Sequence, residues 1–188
     1  MFKSMAFDLS EILKLFGQKR VVELRGLSNR LIREASMENN VPKAELGVIA
    51  YALHKIETKE HFVNDKKWFE IRGKIVSVLE ESIIASKRED KAVILKNLKK
   101  IISSIDMIDS KLGNYAQSIY EKSKVKQASL AYSYGLSIAQ AAELTGADKK
   151  ELQSYIGFTT MPDEEKELKS ISLRVSELKK LLGESRGK

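Results

Sequence analysis

Apolar side chains recur along this chain at three- and four-residue steps, the period at which an α-helix turns one face inward. Val21, Leu24, Leu27, Leu31 and Ala35 form one such series, while Arg20, Arg25, Arg30 and Arg33 fall largely elsewhere around the same helix. "ENNVPK" ends it, and Pro42 suits the first turn of the next helix, where its missing N–H would have no partner anyway. Leu46, Ile49, Ala50, Leu53 and Ile56 carry the period on to about Glu57. Ahead of these, "DLSE" places Asp8 three residues before Glu11, a capping-box spacing that predicts a first helix from about Asp8 to Gly17.

After the polar link "TKEHFVND", two longer patterns follow. Trp68, Ile71, Ile75, Leu79, Ile83 and Ile84 mark a helix to about Ala85, and "SKREDK" reads as a turn with Asp90 as the N-cap of its successor. Ile94, Leu98, Ile101, Ile105, Ile108 and Leu112 then make an unbroken a/d stripe. An antiparallel hairpin that buries this stripe within the molecule is favoured over an oligomeric coiled coil, since a core face and a short heptad seam look alike at this length. The link at Ser86 to Asp90 has no Gly or Pro, which leaves one continuous helix as the alternative. A last series, Leu168, Ile171, Val175, Leu178 and Leu182, follows Pro162 and predicts a C-terminal helix over about 163–182.

Between these lies "GLSIAQAAELTGADKKELQSYIG", Gly135 to Gly157. Ser137 with Gln140 and Asp148 with Glu151 have the spacing that satisfies free amides at a helix start, so two short helices are predicted with only "TGA" between them. Gly146 sits where the first must end, a position that favours left-handed backbone. Ala141, Ala142 and Leu144 would line the inner side of the first helix, and Leu152, Tyr155 and Ile156 that of the second. The preceding segment offers Val125, Ala128, Leu130 and Tyr132 as a third wall.

This stretch resembles the tri-helical helix-turn-helix superfamily of DNA-binding domains over residues 120–157, with Ala142, Gly146, Leu152 and Ile156 at the small, turn and aliphatic positions of that arrangement. "AAELTG" is also similar to small helix-turn-helix antitoxins and archaeal regulators, whereas Thr145 departs from the aliphatic residue commoner before the turn. The resemblance implies that the helix from Asp148 is a recognition helix whose start enters the major groove. Lys149, Lys150, Gln153 and Ser154 would then face base edges and phosphates, with Ser137, Gln140, Lys124 and Lys126 as further phosphate contacts.

Composition adjusts this picture only slightly. Two prolines, ten glycines and many Leu, Ile, Lys, Glu and Ala residues in 188 fit an all-α chain, divided here into a helical body over 1–112, a helix-turn-helix domain over 113–160 and a C-terminal helix and tail over 161–188. The formal charge of +7 permits polyanion binding without demanding it, since the excess is +2, +3 and +2 over residues 1–60, 61–112 and 113–188. Disulfides, thiolate metal sites and cysteine nucleophiles are excluded by the absence of cysteine. The longest clear apolar run, "VIAYAL" at Val48 to Leu53, is far too short for a bilayer, and Asp8 and Glu11 interrupt any secretory pattern, so a cytoplasmic protein without membrane association is expected.

Candidate catalytic groups are few. His54, Glu57 and His61 could share a helix face and hold a metal, but the polar run from Thr58 argues that the helix is ending. Asp106 and Asp109, one turn apart beside an Ile-rich stripe, read better as a solvated face than as a magnesium site. Tyrosines between Tyr115 and Tyr155 read as core edges rather than base-stacking platforms. No phosphate-binding loop or nucleophile elbow occurs. The expectation is a non-enzymatic regulator of transcription without a cofactor, whose partner is double-stranded DNA and whose C-terminal helix either pairs two copies as a homodimer or folds back on the body. The competing reading is an interaction or scaffold protein in which the helix-turn-helix is structural and the partner is another protein.

Overall fold

The computed structural model describes the backbone of residues 2–112 and 118–167 and the side chains of 5–108 and 118–158. The expected all-α architecture is observed: nine helices and no strand lie among the described residues. They are α1 (Phe2–Gly17), α2 (Val21–Glu38), α3 (Val41–Glu57), α4 (Glu60–Val63), α5 (Lys66–Lys87), α6 (Lys91–Leu112), α7 (Ile119–Ser133), α8 (Ile138–Thr145) and α9 (Lys149–Glu167). None of them is long and apolar enough to cross a membrane.

One compact unit spans Met1–Leu152 and a second spans Gln153–Lys188. The boundary expected near residue 113 therefore falls inside the first unit. The second is described only as far as 167, where it is the continuation of α9.

At the centre of the first unit is α3, almost every residue of which from Ala44 to His54 is buried. Its most extensive partner is α2. Gly47 allows the close approach: a Cβ there would lie 2.9 Å from Ile32 Cδ1, and the Gly47 carbonyl accepts from buried Ser28 Oγ at 2.7 Å. On the other side α1 packs against α5, and α5 against α6 in the expected hairpin, whose corner is made by Glu89 at φ 57 and by Asp90 accepting from the Val93 amide at 3.1 Å. Ile94, Leu98, Ile101, Ile105 and Ile108 are all buried, and α6 packs on α5, α7, α3 and α4, so these members of the stripe form an internal core face, while the side chain of Leu112 lies outside those described.

Charged side chains tie these helices across their seams. Arg30 on α2 joins Asp8 on α1 at 3.1 Å and Glu34 at 2.9 Å, while Lys43 on α3 joins Glu34 and Glu38, each at 3.1 Å. Burial pushes the Asp8 carboxyl upward despite Arg30. Burial also works against ionised Glu34, yet Arg30 and Lys43 together hold its carboxyl below the ordinary range. Arg72 on α5 donates to Glu57 at 3.0 Å and to the Phe16 carbonyl at 2.6 Å, and its guanidinium lies 4.8 Å from the Phe16 ring. It thereby closes the C-terminus of α1 against α3.

Four expectations need correction. Asp8 does not start a helix: α1 begins at Phe2, and the Asp8 carboxylate is bound by Arg30 from another helix rather than by amides of its own. The polar link at 58–65 contains α4, which drives fully buried Phe62 into the core. Ile84, read as part of the inward series of α5, is 52% exposed. Finally, Gly157 does not stop α9 and Pro162 does not begin a new helix, for α9 runs through both to Glu167. Gly157 is not among the glycines with the positive φ that a terminating glycine adopts. The expected helical series over 168–182 lies outside the described residues.

Candidate nucleic-acid interface

Ser118 caps α7 by accepting from the Glu121 amide at 3.1 Å. The inner face of α7 consists of Ile119, Tyr120, Ser123, Val125, Gln127, Ala128 and Ala131. Val125 and Ala128 thus take the expected places, but Leu130 is only half-buried and Tyr132 is exposed, because the face turned inward is the one that meets α3, α2 and α6 as well as α8. Gly135, at φ 100, then reverses the chain.

At the start of α8 the predicted capping box is complete. Ser137 Oγ accepts from the Gln140 amide at 3.2 Å, and Gln140 Oε1 accepts from the Ser137 amide at 3.0 Å. Both side chains are exposed, yet each is already engaged in holding the helix start. Ala141, Ala142 and Leu144 are buried as expected, and so is Thr145, whose hydroxyl donates to the Ala141 carbonyl at 2.9 Å. That bond explains how a polar side chain is accommodated in a buried position.

The corner itself is sharp. Gly146 takes the left-handed conformation at φ 69, ψ 22, and both its amide and that of Ala147, the latter at 3.0 Å, turn back to the Ala142 carbonyl. One carboxylate oxygen of Asp148 then accepts from the amides of Lys150 and Glu151, each at 2.9 Å. Two of the first amides of α9, those of Lys150 and Glu151, are therefore occupied by a side chain. Leu152 is fully buried in the first unit, whereas Lys149 and Lys150 are exposed, and among the described residues no salt bridge involves either. Gln153 and Ser154, further along α9 in the second unit, are exposed too. Glu143 and Asp148 are exposed acidic residues of the same corner.

Lys124 and Lys126 do not stand beside these as open basic groups. Lys126 is half-buried. Lys124 pairs with Glu121 at 2.7 Å and lies 5.0 Å over the Tyr120 ring. The Glu121 partner was visible in the sequence only as a three-residue spacing. Burial, reinforced by the carboxylates of Glu45, Glu121 and Asp106, pushes the Tyr120 hydroxyl far above its ordinary range, so this ring stays neutral.

Other candidate constellations are dispersed. His54 lies on α3 with Nδ1 2.8 Å from the Val21 carbonyl, and burial, aided by Lys55 and Arg25, lowers its pKa despite that bond. Glu57 is bound by Arg72, and His61 is on α4 with its ring centroid 4.3 Å from that of Phe62. No group of three or more metal-ligating side chains occurs among the described residues. The side chain of Asp109 and all of Tyr115 lie outside them; Tyr134 is exposed and Tyr155 half-buried. A groove of about 400 Å³ between α1 and α2 is lined by Lys14, Arg20 and Arg30 but also by Glu11 and Glu23, and Arg20 already pairs with Glu23 at 3.1 Å.

Comparison with protein-family models, curated proteins and solved structures finds no match to this chain.

Proposed function

We propose that this protein binds duplex DNA, without catalysing a reaction on it, and regulates transcription through the helix that starts after Asp148. The observation that carries the reading is the corner at Gly146 followed by two exposed lysines in the first turn of α9. A helix presented in this way fits the major groove, where lysine reaches guanine acceptors or phosphate. Gln153 supplies an adenine-compatible amide and Ser154 a hydroxyl further along α9. Because Ser137 already binds the Gln140 amide and Asp148 the Lys150 and Glu151 amides, affinity rests more on side-chain charge than on helix-terminal amides. Pairing of two copies would present two such helices to half-sites about one DNA turn apart.

The competing reading, an interaction or scaffold protein, is favoured by one observation: α8 packs on α3 and α2 as well as on α7, so the helix-turn-helix contributes to the core of the body. A salt titration of binding to labelled random-sequence duplex DNA separates the two. The DNA reading expects measurable affinity at low salt that falls steeply as salt rises. Replacing Lys149 and Lys150 by alanine together should then reduce the logarithmic slope by about 0.9 for each phosphate that is no longer neutralised. No binding at low salt overturns the DNA reading and leaves the interaction reading.

A further inference from the structure

The groove between α1 and α2 has a volume of about 400 Å³, within the range of about 300 to 1,000 Å³ usual for small-molecule sites. Buried Leu15 and Leu27 form its apolar floor, with Gly26 beside them. After proline, glycine is the residue that a helix interior tolerates least. Neither backbone nor packing calls for it here: Gly26 is not among the glycines with positive φ, and an added Cβ would meet no atom within 4 Å. The missing side chain leaves the groove open. Of the charged groups along the walls, Arg20 is taken by Glu23, and Arg30 by Asp8 and Glu34. Glu11 and Lys14, one turn apart on α1, line the same groove, and among the described residues neither side chain has a salt bridge or hydrogen bond. Glu11 is half-buried, so its carboxylate gives up part of its hydration without gaining a partner.

One unpartnered charge of each sign beside apolar carbon is the complement of a zwitterion with an apolar body, not of a polyanion. We infer that this groove binds an α-amino acid with an aliphatic side chain: its ammonium meets Glu11, its carboxylate meets Lys14, and its side chain lies over Gly26 and Leu27. Side chains three residues apart on a helix have Cβ atoms about 5 to 6 Å apart, a span that the two charged groups on one α-carbon can bridge. The site goes beyond the DNA reading and does not rest on it.

Amide chemical shifts of the isotope-labelled full chain, titrated with L-leucine, test the site. Saturable shifts should centre on the amides around Lys14 and Gly26. Leucinamide, which lacks the carboxylate, and isocaproate, which lacks the ammonium, should each bind about tenfold more weakly or worse, since each forgoes one charge-assisted bond. Lys14→Gln should then abolish the preference for leucine over leucinamide, and Glu11→Gln the preference over isocaproate, an exchange of specificity that a merely structural role of either residue would not produce. Gly26→Leu, whose side chain points into open space, should melt like the wild type and bind no leucine. The inference is overturned if leucine causes no saturable shift up to its solubility limit, if the shifts centre elsewhere, or if either analogue binds as well as leucine. It also falls if a folded Gly26→Leu keeps the wild-type affinity. Should that variant fail to fold, the analogue series on the wild-type chain decides alone. Loss of DNA binding by the wild-type protein would end the function reading and leave this titration unaffected.

Discussion

The seams of the helical body and the corner at Gly146 handle charge in opposite ways. In the body, ionic groups from different helices are matched: Asp8 on α1 with Arg30 on α2, Glu34 on α2 with Lys43 on α3, Glu57 on α3 with Arg72 on α5. At the corner, the polar groups that hold the backbone are the short ones, Ser137, Gln140, Thr145 and Asp148, each bonded within a few residues of itself. The lysines that follow are left on the surface. Side chains that hold helices together are thereby separated from side chains open to a partner, although the two regions share a core.

The strongest way to break this contrast is to remove Arg72. Its partner Glu57 has a side chain only 2% exposed, so Arg72→Ala would strand a carboxylate in the interior and release the Phe16 and Gly17 carbonyls at the end of α1. Losing one member of such a pair costs about 3 kcal/mol or more. Urea unfolding should register this loss, and the double variant with Glu57→Gln should recover part of it, because the stranded charge is then gone. A cost below about 1 kcal/mol for Arg72→Ala would place this pair with ordinary surface pairs and remove the contrast at its strongest point.

A smaller effect is expected at the corner. Gly146→Ala meets no steric obstacle, since the nearest atom to the new Cβ is 3.9 Å away, so its cost is that of a left-handed backbone alone, about 1 to 2 kcal/mol. Gly146→Asn should be milder, because asparagine tolerates that region better. Thermal melts of the two variants give the comparison, and equal stability of Gly146→Ala with the wild type would mean that the turn can form with another geometry.

What the sequence disclosed and what it hid follows from the range of the forces concerned. The capping box at Ser137 and Gln140, the stop at Gly146 and the cap at Asp148 were legible because each is satisfied within a turn of the chain. Asp8 carried the same kind of local signal and was misleading, since Arg30, distant in sequence, offers its carboxylate a partner that amides would otherwise have been. Helix α4 was hidden because a single buried phenylalanine in a polar stretch has no period to read. Gly157 could serve as a stop or as a helical residue, and nothing near it in the sequence decides between them. Lys124 was counted with the surface lysines because Glu45 on α3, whose carboxyl it influences, comes near it only through the packing of α3 against α7.

The smallest expected effect is also the sharpest test of the division of roles. If Lys149 and Lys150 serve only a partner, replacing both by alanine should leave stability within about 0.5 kcal/mol of the wild type, as surface substitutions away from structural contacts usually do. The Asp148 cap at the start of α9 uses backbone amides, not lysine side chains, and should survive intact. The helix could even gain slightly, because removing positive charge from its first turn relieves an unfavourable interaction with the helix dipole. A loss of about 1 kcal/mol or more in urea unfolding would show instead that these lysines are tied into the molecule, and exposure at the corner would no longer distinguish it from the seams of the body.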